Sequence, residues 1–154
     1  MIRIKRADKI DINNIVNLRN ALDIYHRKFD KLLNTDFKRK QYNRQLIKSK
    51  IKSKNAILLV ALDKNKIIGY VLGWIEKRPA YAFRIGYFCD LFIIRNYRNK
   101  GIGKKLIKEL INWFKSKKIK YVTLDVYSKN KTAIKAFYSV GFKELSRHMI
   151  IRVR

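Results

Sequence analysis

The stretch FRIGYFCDLFII, residues 83–94, constrains this chain more than any other. Apolar residues fill it almost without interruption, so it reads as a central strand that must be covered on both faces. Such a strand needs neighbours. The preceding AILLVALDKNKIIGYVLGWIE (56–76) reads as two strands joined by a tight turn at Asp63–Lys66. Pro79 makes 77–82 a turn or loop, because proline lacks an amide hydrogen and restricts Arg78 before it. At the start of the chain, IRIKR (2–6) alternates as a short strand.

Helical spacing fills the intervals. Ile12, Ile15, Val16, Leu18 and Leu22 predict a helix capped by Asp8 or Asp11, and Asp36 can cap a second helix through about residue 53. That second helix carries Lys38, Arg39, Lys40, Arg44, Lys48, Lys50 and Lys52, with Lys54 just beyond and no acid among them. A solvated face is the expectation there, with a phosphate or RNA contact as the alternative. From Gly101 to about Lys118, the positions Ile102, Leu106, Ile107, Leu110, Ile111 and Phe114 form one apolar stripe. YVTLDVY (121–127) reads as a strand, NKTAIKAFYSV (130–140) as a helix stopped by Gly141, and FKELSRHMIIRV (142–153) as a closing strand.

At 154 residues and 47% apolar content, the chain is long enough for one domain with a real core. Its formal charge of +27 suggests an anionic partner, whether nucleic acid, membrane surface, ribosome or phosphorylated cofactor, or else a merely charged surface. A lone Cys89 excludes an intrachain disulfide and a cysteine-built metal site, and His26 and His148 lack metal-ligand spacing. No segment reaches the ~20 apolar residues of a membrane span, and no signal peptide is evident, so a soluble cytoplasmic protein is expected.

Between the strand ending near Ile94 and the helix beginning near Gly101 lies RNYRNKGIGKKLI (95–107). Amides at a helix start lack partners and can receive phosphate oxygens, and glycine lets the backbone approach them closely. The stretch is not a P-loop, because Arg98 and Lys105 occupy positions that need Gly and Ser or Thr. Nor is it a dinucleotide fingerprint, because Leu106 replaces the third glycine. What fits is R-x-x-G-x-G, formed by Arg98, Gly101 and Gly103.

This pattern resembles the pyrophosphate-binding motif of the GNAT family of N-acetyltransferases, which hold acetyl-coenzyme A. Asn130, Ala133, Phe137, Gly141 and Phe142 resemble the family's later motif, at a similar separation. The resemblance implies a single domain over 1–154, with an α/β GNAT-like acyl-CoA N-acyltransferase fold: a mixed, mostly antiparallel sheet of six to seven strands and about four helices. It implies acetyl-CoA as co-substrate without a metal, held by Arg98, Asn99, Lys100, Gly101, Ile102, Gly103 and Lys104. A backbone contact near Ile93 and a contact from Asn130, which could equally be a helix cap, complete that set.

Direct transfer of acetyl to a primary amine then needs a base, because such amines have a pKa of ~10. Only 11 acids are available, and the order of preference is Asp90, Glu76, Asp125. An oxyanion donor is expected at the amide of Ile93 or Ile94. The leaving thiolate would take its proton from Tyr138, although Phe137 stands at the family's tyrosine position; Tyr127 or water are the alternatives. Cys89, beside Asp90, is expected to face the other side of the strand and join the core. The acceptor could be a protein N-terminus, a lysine or a small amine, bound by a monomer or homodimer. The competing reading is a basic RNA- or ribosome-associated module of the same fold with little or no catalysis.

Overall fold

The computed structural model describes residues 1–154. Its elements run β1 (Ile2–Arg6), α1 (Ile12–His26), α2 (Phe37–Lys52), β2 (Ala56–Asp63), β3 (Lys66–Lys77), β4 (Arg84–Ile93), α3 (Ile102–Ser116), β5 (Val122–Leu124) and α4 (Lys131–Ser139). The sheet order is β1-β2-β3-β4-β5. Every pairing is antiparallel except β4 with β5, which is parallel.

Apolar sequence translates directly into two-sided burial. On one face Ile57, Leu59, Val71, Ile75 and Phe88 pack under Ile102, Leu106, Leu110 and Phe114 of α3. On the other, Leu58, Val60, Tyr70, Leu72 and Phe92 pack under Ile15, Val16 and Leu22 of α1 and Ile47 of α2. Burial of each such side chain stabilises the fold by ~1.5–3 kcal/mol. The ring of Phe114 sits on the sheet only because glycine lies beneath it: a Cβ on Gly86 would stand 2.7 Å from Phe114 Cε1.

The helix starts follow their caps. Asp8 accepts the amide of Ile10, while Asp11 accepts that of Asp8 and also an ion pair from Lys5 at 2.7 Å. Asp36 Oδ1 accepts the amide of Arg39 at 3.0 Å. The basic helix α2 is not solvated throughout. Arg39 makes a two-bond contact to Asp23, and Asn43 is fully buried against Asp23 and Arg19.

Three expectations are corrected. The central strand is β3; β4 lies fourth, and its Tyr87, Cys89 and Leu91 are only half-buried. Cys89 does not oppose Asp90, because Leu72 pairs with Asp90 while Gly73 pairs with Phe88. Cys89 is therefore an extra residue, a bulge that turns both side chains toward α1, where Cys89 Sγ lies 3.4 Å from Asp90 Oδ1. Finally, the sheet has five strands rather than six to seven. Residues 142–154 contain no turn, bend or strand, because extended backbone without a hydrogen-bonding neighbour forms no ladder.

Candidate active site at the strand splay

Strands β4 and β5 touch over only three residue pairs, Gly86–Val122, Tyr87–Thr123 and Phe88–Leu124. Beyond Phe88 they part, and β4 from Cys89 to Ile93 has no strand on that flank. Hydrogen bonds on an antiparallel strand alternate sides. Because the amide of Ile94 donates to Ile68 at 2.9 Å, alternation turns the backbone groups of Ile93 and Leu91 onto the open flank. Ile94 is thereby removed as an oxyanion donor, while Ile93 keeps the expected backbone position and Leu91 joins it.

The loop that follows ends in an uncapped helix. Asn99 (φ 60°) and Gly101 (φ 76°) take left-handed conformations, which fold the chain back so that its amides point outward. None of the amides from Asn99 to Lys104 donates to a protein acceptor. The contrast with the other helices is informative: Asp8 and Asp11 cap the turn into α1, Asp36 caps α2 and Asn130 caps α4. Gly101, at the start of α3, has no side chain to offer, and the first turn carries no acid. With Lys100, Lys104 and Lys105 exposed around it, this helix start fits an anion. Space is available too, since a Cβ on Gly103 would meet only Leu91 Cδ2, at 3.7 Å.

Arg98 holds the backbone beside the cradle. Its Nε donates to the Ile93 carbonyl at 2.7 Å, and its guanidinium lies over Tyr25 and Phe92 at 5.3 and 5.4 Å. It braces the end of β4 and so holds the loop beside the splay.

The acids divide by their partners. Asp90 is buried, ion-paired with Arg19 and hydrogen-bonded by Tyr70 Oη at 3.0 Å. Arg19 in turn donates to Asn43, which donates to Asp23. Burial works to raise the pKa of Asp23, but the hydrogen bonds from Arg39 and Asn43 outweigh it and hold the carboxyl below its ordinary value. Asp90 thus ends a buried polar chain running from α2 through α1 to the bulge. Burial also pushes up the thiol of Cys89, keeping it protonated and a poor nucleophile.

Glu76 is held by Arg78 and by Trp74 Nε1, the latter at 3.0 Å. Lys50 lies 3.8 Å above the Trp74 ring, with its pKa lowered by burial. Asp125 differs: it is exposed, has no cationic partner, and accepts a hydrogen bond from Tyr87 Oη at 2.9 Å. Burial and that bond raise the Tyr87 pKa, so the phenol stays protonated.

The acetyltransferase (GNAT) family model matches residues 18–142. The chain belongs to this family. An uncharacterised N-acetyltransferase of Methanocaldococcus jannaschii is 29% identical over 137 residues, covering 83% of this chain and 57% of its own. The chain spans about half the length of the curated relatives it matches. Among solved structures, a mutant protein from Bacillus halodurans superposes with a TM-score of 0.86 at 20% identity, covering 99% of both chains. A predicted acetyltransferase from Clostridium acetobutylicum, solved with acetyl-CoA, gives 0.82 at 18% identity, covering 99% of this chain and 96% of its own.

Within this GNAT framework the later motif falls on α4. Asn130 Oδ1 accepts the amide of Ala133 at 3.3 Å, so the cap is present, and its side-chain nitrogen donates to no protein acceptor. Phe137 turns inward to Phe88 and Phe142, with ring centroids at 5.5 and 5.8 Å. One step on, Tyr138 points away from that cluster and is 53% exposed. Tyr127 is the nearer hydroxyl to the α1 side: it packs on His26 and Phe29 and donates to Asp30 at 3.4 Å. Burial and Asp30 raise its pKa.

Sequence reasoning missed Arg19 and Tyr87. Arg19 had a signal, since it sits four residues after Ile15 and three before Leu22, on the stripe that becomes buried. Tyr87 had none, because its role depends on which strand lies beside it.

Proposed function

We propose that this chain is an N-acetyltransferase that moves acetyl from acetyl-CoA directly to a primary amine, with residues 1–154 acting as one domain. The observation that carries this reading is the run of unpaired amides from Asn99 to Lys104 at an uncapped helix, opening beside a splayed strand pair. Acetyl-CoA supplies the activated acetyl group. Its pyrophosphate fits the amides of 99–104 with Lys100, Lys104 and Lys105 around them, and its pantetheine arm fits the open flank at Leu91 and Ile93. Asn130 would offer its free side-chain nitrogen to the same arm.

The chain's own groups then have distinct tasks. The amide of Leu91 or Ile93 stabilises negative charge on the acetyl oxygen. Asp125 removes the amine proton, directly or through water, with Tyr87 orienting its carboxylate. Asp90, tied to Arg19 and Tyr70, holds the bulge in place rather than serving as base. Tyr127, rather than Tyr138, stands best to protonate the leaving thiolate, which needs only modest help at a thiol pKa of ~8.5.

On a chain of formal charge +27, Asp125 accepts from Tyr87 and Asp30 from Tyr127, while Glu76 lies farther back along β3, opposite Ile85 and paired with Arg78. The carboxylates of Asp125 and Asp30, neither paired with a cation, support an acceptor whose cationic amine enters between Tyr87 and Tyr127. A protein N-terminus, a lysine and a small amine all carry that group. A free-thiol release assay with acetyl-CoA across these three amine classes tests the reading. Turnover with one class is expected. Absence of coenzyme binding would overturn it, and binding without turnover would favour a non-catalytic module.

A further inference from the structure

No other helix concentrates charge as α2 does. Seven of its 16 residues are Lys or Arg and none is acidic, whereas the whole chain has 38 basic residues in 154. Two of the seven work inside the fold: Arg39 bonds to Asp23, and Lys50 lies over the Trp74 ring. Lys38, Lys40, Arg44, Lys48 and Lys52 are exposed and belong to no salt bridge. Four of them, Lys40, Arg44, Lys48 and Lys52, follow at four-residue intervals, a row of ~18 Å along one side of the helix. Like charges at that spacing repel, so the row works against the helix that carries it.

The surroundings keep the row positive. Asp11 is paired with Lys5 and Asp23 with Arg39, and both acids are buried. Asp36 caps the start of α2, before the row begins. Alongside the row, α1 places asparagines: Asn13 accepts from Arg44 at 2.8 Å and Asn20 from Asn43 at 2.9 Å, with exposed Asn17 between them on the same side. Gln41, Gln45 and Ser49 stand exposed beside the cations. The exposed apolar side chains, Ile10, Ile24 and Phe37, lie at the helix ends rather than at the centre of this face. Protein interfaces gather apolar side chains at their centre, and membrane-surface helices present an apolar face opposite a basic one. Neither fits here, because the apolar side of α2 is already packed on the sheet through Ile47. Cations mixed with Asn, Gln and Ser are the groups that contact phosphate and sugar.

We infer that the outer face of α1 and α2 binds the backbone of an RNA strand, with Lys40, Arg44, Lys48 and Lys52 on its phosphates. The row is long enough to meet about five phosphates of one strand, at ~3.4 Å each along the axis. The asparagines beside it supply partners for the ribose 2′-hydroxyl, the group that separates RNA from DNA. Contacts to phosphate and sugar carry no sequence information, so the binding is independent of base sequence. Helices α1 and α2 cover one side of the sheet and α3 the other, so the RNA face and the start of α3 can be occupied together. The inference therefore stands apart from the coenzyme reading.

Fluorescence anisotropy of the full chain with a labelled single-stranded RNA of ~20 nucleotides, at ~0.1 M salt, should show binding. Combining Lys40→Gln, Arg44→Gln, Lys48→Gln and Lys52→Gln should weaken it ~100-fold or more and reduce the slope of log K against log salt by about 3. The melting temperature of this variant should hold or rise, because glutamine favours helix and the repulsion along the row is relieved. Its affinity for acetyl-CoA should equal the parent's. Removing the same charge from the opposite side, by Lys108→Gln, Lys115→Gln, Lys117→Gln and Lys120→Gln, should weaken RNA binding by less than ~10-fold. Equal losses from the two variants would reveal a diffuse basic surface and overturn the inference. Displacement of the RNA by acetyl-CoA would also overturn it, by placing the strand at the start of α3. Polyglutamate bound as tightly as RNA would make the face one for acidic proteins, and DNA of the same sequence bound as tightly would remove the assignment to RNA.

Discussion

The region from β1 through α3 and the region from β5 onward are built on different terms. The first buries apolar side chains on both faces of four strands, under three helices. The second is attached through three residue pairs and buries only Asn130 beyond Lys120. The first region has enough core to fix its geometry; the second leans against it. The candidate site lies along their seam, where a rigid strand meets a loosely attached one. A splay is what such a junction produces, because β5 has too few partners to follow β4 to its end.

The largest effect that would break this comparison is on stability. Arg19→Ala leaves Asp90 buried without its cation, which should cost ~3–5 kcal/mol in urea unfolding. A cost below ~1 kcal/mol would show that the chain from α2 to the bulge is not structural. Gly103→Arg comes next. Its Cβ has room, so the melting temperature should hold while coenzyme affinity falls by ~100-fold or more (about 2.7 kcal/mol), as read by calorimetric titration. Unchanged affinity would place the cradle elsewhere.

Asp125→Asn belongs to the second region and should leave unfolding within ~0.5 kcal/mol of the parent. The same change should lower the rate by ~10–100-fold near neutral pH and recover toward pH 10, where the amine is already free. A rate–pH profile that overlays the parent would exclude Asp125 as the base, and an effect confined to Asp90→Asn would reinstate Asp90.

The smallest effect concerns acid. His26 is held below its ordinary 6.5, chiefly by burial. The unfolded chain therefore binds a proton that the fold refuses, and stability falls as pH drops below 6.5. Asp23 is held below 3.8, so its contribution is present above that value and is lost as pH falls through its lower folded pKa. Two successive losses in urea midpoint are expected, both arising in the first region; a flat profile from pH 7 to 3 would contradict them.

What sequence made legible follows the same division. The strands of the first region and all four helices follow from local patterns, because apolar spacing and caps act over a few residues. The candidate cradle rests on equally local signals, because Arg98, Gly101 and Gly103 sit within one loop. The bulge at Cys89 was not legible, because it is a mismatch between two strands, visible only in their register. The pairing of Asp90 with Arg19 was not legible either, because the two are distant in sequence. The closing strand expected over 142–153 is absent, because a strand pattern forms a ladder only where a sheet edge receives it.

The central claim is that the unpaired amides at the start of α3 hold the coenzyme. Titrating acetyl-CoA into nitrogen-15-labelled protein tests it directly. The amides of Asn99 to Lys104, with Leu91 and Ile93, should shift together and saturate at one equivalent. Shifts scattered over the lysine-rich surface and abolished by moderate salt, with these amides unmoved, would contradict the account.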